Sequence, residues 1–436
     1  MKSYSSVCAF ILYLFFLYAC NSSRQGIFGR KSPHERYQSA LQDAGLTGTE
    51  LYKAWANAAQ KGLKAPLTIA IPYKETGFFP AETPRSAGYA FSMQEGEKIS
   101  FVIEKQPVTG HIFSELWKME DTTRKLLYAA DSLEYRWEVE IKDKGKYLVR
   151  IQPELLHAVS YTITITAGPS LAFPVRTSDN PKTSGFWGDS RDAGGRKHEG
   201  IDIFTPKRTP AVAAADGIVT RVGTNNLGGK IVFMRPGGKN YSLYYAHLDT
   251  QMVQEGQNIE TGDIVGLIGN TGNARNTPPH LHFGIYASSG ATDPFPFVNA
   301  NRPSPPDIKA DTSQISKILR TTVKARLLSS LIPSAPYVTL EKGTLTITLA
   351  GAADWFKVEL PDGATGYIKS DQLTAKPLQQ KLKPGSDTLF DAPSPGSAVR
   401  SGIATGTPLT VYGVWHRYAY VEAGNHRGWI LRREEM

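Results

Sequence analysis

The chain reads as mainly β: an N-terminal helical hairpin with a β-sandwich, a central antiparallel β domain, and two small C-terminal β-barrels. Three observations predict this. Short stretches of Val, Ile, Tyr and Thr alternate with polar residues along most of the sequence, the signature of half-buried strands. Forty Gly and 28 Pro supply turns between them. Helical spacing is confined to residues 33–63. A length of 436 residues leaves room for about two to four domains.

The elements follow in order. Lys2 precedes an apolar run of 13 residues, Val7 to Ala19, too short to span a bilayer comfortably as a helix. It ends in Leu17-Tyr18-Ala19-Cys20, followed by polar residues. This resembles a bacterial lipoprotein signal, residues 1–20, cut before Cys20 with the thiol then lipidated; a plain secretory signal is the alternative. Either implies export to the bacterial cell envelope, periplasmic or at the cell surface. The two cysteines, Cys8 and Cys20, both lie in this leader, so the body can form no disulfide and holds no thiol nucleophile.

Residues 27–65 form a helical segment. Thr47 and Glu50 fit a capping box, and Leu51, Trp55 and Ala58 recur at helical spacing. Residues 66–172 turn to strands: Trp137, Val139 and Ile141 alternate with charges, and Tyr161, Ile163 and Ile165 with threonines. The pattern predicts a sandwich and resembles the pre-peptidase type of domain; His111 and His157 are structural in this reading. Residues 175–300 carry Val/Ile strands and Gly turns, and 301–315, with Pro303, Pro305 and Pro306, is a linker.

The remainder repeats itself. Lys342-Gly343-Thr344 recurs as Thr405-Gly406-Thr407 after 63 positions, and Gly366-Tyr367-Ile368 as Gly428-Trp429-Ile430 after 62. Residues 316–376 and 377–436 resemble two bacterial SH3-like barrels, with His416 and His426 read as surface or packing residues. Net charge is +9, with 17 basic against 12 acidic residues in 301–436, which points to an anionic partner surface. No dense basic run or nucleic-acid motif is present, so nucleic acid is excluded as a partner.

The chemistry concentrates in the central unit, which holds four of the nine histidines. His280 and His282 are two apart before Phe283-Gly284-Ile285, and on a strand they share a face. In His198-Glu199-Gly200-Ile201-Asp202, Gly200 argues for a bend that lets His198 and Asp202 converge. His247 ends the strand that begins at Tyr244 and can enter the same pocket. Imidazole and carboxylate are zinc donors.

These residues resemble the lysostaphin-type, LytM-like zinc metallopeptidases across Ser184–Tyr286, including Phe186-Trp187-Gly188-Asp189-Ser190-Arg191, Gly195 to Ile203, Tyr245-Ala246-His247-Leu248, Gly269-Asn270-Thr271-Gly272 and His280-Leu281-His282. The resemblance implies a central antiparallel β zinc-peptidase domain. It implies His198, Asp202 and His282 as ligands of one Zn²⁺ per chain, with His247 and His280 as the non-ligand catalytic pair, their division of labour open. It also implies a zinc endopeptidase acting on peptide cross-links or stems of peptidoglycan. Tyr241, Tyr244, Asn270 and the loop near Asn225–Gly229 are expected to line the substrate pocket. Peptidoglycan, a membrane reached through lipid on Cys20, and an envelope regulatory protein are the implied partners. A non-catalytic envelope scaffold or activator of another wall hydrolase is the alternative.

Overall fold

The computed structural model describes residues 31–432, apart from 132, 177, 179, 192, 193, 380–385 and 405. Residues 1–20, with the expected lipoprotein signal and Cys20, lie outside the described residues. Strand accounts for 48% and helix for 11%, so the protein is mainly β, as expected.

The first helix, Pro33–Asp43, starts at a capping box: the Ser32 hydroxyl accepts from the Glu35 N–H, and the Glu35 carboxylate accepts from the Ser32 N–H. The second, Glu50–Lys64, is capped by Thr49, whose hydroxyl accepts from the Tyr52 N–H. The box expected at Thr47 and Glu50 does not form, because Leu46–Gly48 winds into a 3₁₀ turn that delays the helix start. The second helix buries Tyr52, Trp55, Ala59 and Leu63. Three hydrogen bonds fasten the pair to the strand Gly145–Pro153. Trp55 Nε1 donates to Pro153 O, Gln152 Nε2 donates to Trp55 O, and His34 Nε2 bonds Gln152 Oε1 at 2.7 Å. The His34 ring also stacks on Trp55, 4.7 Å between centroids.

Two sheets face each other across the N-terminal core. One orders Ala87–Met93, Gly145–Pro153, Ile112–Met119 and Arg124–Ala129; the other orders Tyr73–Phe79, Val159–Pro169, Glu97–Gln106 and Arg136–Glu140. Alternation places Ile99, Phe101, Ile103, Tyr161, Ile163 and Ile165 inside.

The second sheet continues beyond the sandwich. Thr76 and Gly77 pair with Gly351 and Ala350 of Leu345–Ala352, which leads on to Trp355–Glu359 and Thr365–Lys369. The first C-terminal unit thus extends the N-terminal sheet, and its Ala352 and Tyr367 join the sandwich core. The fully buried Glu75 seals the junction. Its carboxylate accepts from the hydroxyls of Tyr73 (2.5 Å), Tyr89 (2.6 Å) and Tyr161 (2.8 Å) and from Lys357 Nζ (2.5 Å) on Trp355–Glu359. Such pairing across distant sequence leaves no local trace in composition or periodicity.

Between these partners the chain forms the central unit. Its main sheet orders Lys182–Gly185, Ile201–Phe204, His280–Ala287, Tyr241–Gln251, Gly229–Pro236 and Gly217–Asn225, all antiparallel. Lys239 with Glu140 ties it to the sandwich, and Arg302, just past the unit, pairs with Glu97 (2.8 Å). Residues 301–315 lie against the first C-terminal unit, where the N–H groups of Lys309 and Ala310 both donate to Ala353 O. The sequence repeat is a structural one. Gly343 and Gly406 both turn at positive φ (87° and 84°), and the strands carrying Tyr367 and Trp429 occupy matching places in two antiparallel meanders.

Two outcomes follow. Glu75→Ala strands the buried Lys357 ammonium, and chemical denaturation is expected to show a loss of about 3–5 kcal/mol; a loss under about 1 kcal/mol would refute the junction's importance. Burial first, then the Arg150 charge, lowers the His34 pKa to about 3. Between 6.5 and that value the unfolded chain binds the extra proton. Stability is therefore intact above pH 6.5 and falls toward pH 3, by up to about 1.4 kcal/mol per pH unit. Urea unfolding from pH 7 to pH 4 should show a shallower pH dependence in His34→Gln than in the parent.

Candidate metal centre

The site rests on one strand pair. Ile201–Phe204 lies antiparallel to His280–Ala287, with Asp202 opposite His282 and Phe204 opposite His280. Directly opposed residues project to the same face, so the register alone brings the carboxylate to His282, and period two adds His280. His198 enters from the bend before Ile201. Gly200 permits the approach: a Cβ there would lie 2.6 Å from Phe283 O and 2.7 Å from His282 Cε1.

His247 arrives differently. Tyr245 pairs with Val232 and Leu248 with Lys230, so Ala246 and His247 together face the single residue 231, forming a β-bulge. His247 takes φ 61° there, pinned by its N–H on Gly228 O (2.7 Å) and by Gly269 N–H on its carbonyl (3.0 Å). The strand does not end at His247, as expected, but runs on to Gln251. Strict alternation would send His247 to the core side with Tyr245; the bulge turns it toward the other histidines. A left-handed conformation at a non-glycine residue costs about 1–2 kcal/mol, and such strain persists where surrounding structure imposes it.

Three donor atoms meet. His198 Nε2 lies 3.0 Å from Asp202 Oδ1 and 3.0 Å from His282 Nδ1, and His282 Nδ1 lies 3.1 Å from Asp202 Oδ1. His280 Nε2 stands 3.9 Å from the same carboxylate oxygen. The His247 ring is 4.9 Å from His280 and 5.9 Å from His282, centroid to centroid. Backbone carbonyls set the tautomers, since a carbonyl can only accept. Nδ1–H of His198 donates to Phe186 O (2.8 Å), that of His247 to Thr271 O (2.8 Å) and that of His280 to Pro278 O (2.9 Å). In each of these rings Nε2 keeps its lone pair free for the site. His282 alone presents Nδ1.

Two bare nitrogens and a carboxylate oxygen packed this closely repel one another unless a cation or a shared proton lies between them. Their spacing is close to the roughly 3.3 Å edge of a zinc tetrahedron with bonds of about 2.0–2.1 Å. Residue types, buried setting and carbonyl-fixed tautomers therefore fit a zinc ion. Burial opposes ionisation of Asp202, but the adjoining His198 and His282 imidazoles outweigh it and hold its pKa well below the usual carboxylate range. Burial, then the neighbouring His280 and His282, pushes His247 down to about 4, so it is neutral at pH 7.

The cluster opens into a groove lined by Arg191, Glu199, Phe204, Leu227, Tyr244 and Tyr286, among others. Among the described residues, its lining comes from the central unit alone. Tyr244 and the 225–229 loop, through Leu227 and Gly228, stand where the sequence placed them. Tyr241 and Asn270 do not line the groove. Tyr241 is three residues from Tyr244, so the two face opposite sides of a strand, and its ring packs on Phe297 at 5.7 Å. Asn270 instead braces the following turn, donating to Arg275 O (3.1 Å) and Thr277 O (3.4 Å). Sequence reasoning overlooked Arg191 as a site residue. Its Nη2 lies 2.8 Å from Asp202 Oδ2. Its place in the Phe186–Arg191 stretch was the available signal.

Residues 196–294 match Peptidase family M23. The chain is 36% identical over 139 residues to the L-Ala–D-Glu endopeptidase of Bacillus subtilis, covering 29% of this chain and 42% of that protein. It is 36% identical over 88 residues to the peptidoglycan DD-endopeptidase ShyC of Vibrio cholerae, 20% of each. It is 34% identical over 112 residues to the glycyl-glycine endopeptidase ALE-1 of Staphylococcus capitis, 24% of this chain and 30% of that one. It spans less than half the length of each of these relatives. The catalytic domain of lysostaphin from Staphylococcus simulans is a similar solved structure, with 31% identity, 27% of this chain and 92% of that one covered, and a TM-score of 0.25.

Gly200→Ala is expected to part Ile201–Phe204 from His282, costing about 1–3 kcal/mol and weakening zinc affinity roughly tenfold or more. Thermal melts with zinc titration test this, and unchanged affinity would contradict the role given to that glycine. With all five converging residues inside the matched segment, the chain carries a peptidase family M23 domain.

Proposed function

We propose that this protein is a zinc-dependent endopeptidase that hydrolyses peptide bonds in the cross-links or stems of bacterial peptidoglycan. The observation that carries the reading is the convergence of the three donor atoms beside two further histidines at the base of an open groove. The names of the relatives, which act on L-Ala–D-Glu, DD and glycyl-glycine bonds, support the substrate class. His198, Asp202 and His282 would hold the ion. A bound zinc supplies Lewis acidity toward water and the substrate carbonyl. His247 and His280 present Nε2 lone pairs to the groove. One accepts the proton lost by the attacking water, and that proton returns to the leaving amine nitrogen as the C–N bond breaks. The other accepts a hydrogen bond from the same water through its Nε2 lone pair and so would orient the attack. Tyr244, Tyr286 and Leu227 provide walls for an extended peptide.

The rest of the chain fits work on the wall. A lipid on Cys20 would hold the protein at the envelope membrane, and the basic repeats at 316–376 and 377–436, read as SH3-like modules, would contact the wall. The sandwich at 66–172 would serve as the mount. Presence of all five site residues favours catalysis over a non-catalytic scaffold.

Mass spectrometry of muropeptides after incubation of purified wall with the mature protein tests the reading. Cleavage products are expected, absent after chelation and restored by zinc. His280→Ala should keep its zinc and lose about 10²–10⁴-fold in rate. Cleavage that survives chelation, or full turnover by His280→Ala, would overturn the assignment.

A further inference from the structure

Asp202 has two oxygens, and the structure gives them separate surroundings. Oδ1 alone lies among the imidazole nitrogens, 3.0 Å from His198 and 3.1 Å from His282. Oδ2 points the other way, to Arg191 Nη2 at 2.8 Å. Arg191 is held by its own short ladder, in which Ser190 and Arg191 pair with Lys197 and Arg196. Gly185, the ladder partner of Asp202, clears the space for this contact: a Cβ there would lie 2.6 Å from Oδ2 and 2.9 Å from Arg191 Nη2.

A carboxylate turns easily about its last torsion. Without a partner on Oδ2, the group can rotate until both oxygens face a bound cation. A guanidinium is permanently charged and forms directional hydrogen bonds to carboxylate oxygens, which makes it a firm stop against that rotation. Catalytic zinc sites differ from structural ones in keeping a position open for water. A second carboxylate oxygen would compete for that position.

We infer that Arg191 is a positioning residue that restricts Asp202 to one-oxygen ligation and so keeps a coordination position free. The inference rests on the metal-site reading proposed above. It makes no claim on affinity, because the positive charge of Arg191 also repels the ion, opposing whatever it contributes by ordering the carboxylate.

Cobalt(II) is the probe, since its visible absorption weakens as coordination rises from four to five. The full mature chain, Arg191→Gln and Arg191→Lys are loaded with cobalt and their spectra and wall-cleaving rates recorded. Arg191→Gln is expected to lose about half or more of the absorption as coordination expands, with a parallel loss of rate. Arg191→Lys, which keeps a cation near Oδ2, should recover part of both. A spectrum for Arg191→Gln that superimposes on the parent's overturns the inference. Should that variant fail to fold, Gly185→Ala carries the test, because its methyl group crowds the Oδ2 contact while Arg191 remains; the same drop supports the inference and an unchanged spectrum overturns it. A parent protein that takes up no cobalt would instead sink the metal-site reading itself.

Discussion

The antiparallel pairing of Ile201–Phe204 with His280–Ala287 is the constraint on which the site depends. It sets Asp202 against His282 and brings in His280 by alternation, so three of the five central residues are placed by a single register. A slip of one residue in either strand would turn that strand's side chains to the opposite face and part Asp202 from His282. The register is protected by what lies behind it: Ile201, Ile203, Leu281 and Phe283 are fully buried in the core of the central unit, and they fit there in only one alignment.

Around that pair, each remaining part supplies one degree of order. Backbone carbonyls of Phe186, Thr271 and Pro278 fix three imidazole tautomers, a task that asks nothing of side-chain identity at those positions. The bulge at Ala246 and His247 supplies a fourth histidine without disturbing the strand that carries it. The groove is left open on the central unit, while Lys239 on that unit and Arg302 just after it pair with Glu140 and Glu97 of the sandwich. Leu345–Ala352 then extends the sandwich sheet, and Lys357 on the next strand pairs with Glu75. The result is a central unit mounted between two segments that share one sheet.

Much of this was legible in the sequence, for definite reasons. Strand alternation exposed the sandwich core and the shared face of His280 and His282, because both depend on period two alone. Gly200 announced the bend that admits His198. Other features were hidden. The bulge at His247 breaks the period that any local reading must assume. Tyr241 was placed in the pocket beside Tyr244, although a three-residue offset on a strand separates them. Asn270 was expected to meet substrate, but its amide is engaged by the turn it sits in. Arg191 and the carbonyl partners escaped notice because they act through the residues that carry the chemistry. The joining of the N-terminal sheet to Leu345–Ala352 belongs to long-range topology, which composition and periodicity do not encode.

The central claim is that His198 Nε2, Asp202 Oδ1 and His282 Nδ1 together hold one divalent ion. Anomalous diffraction at the zinc absorption edge, from crystals of the purified protein, addresses it most directly. The account predicts one strong peak at about 2.0–2.2 Å from each of these three atoms, with His247 and His280 outside bonding distance. A zinc-saturated crystal with no peak there, or with His247 or His280 bonded in place of one of the three, would contradict it.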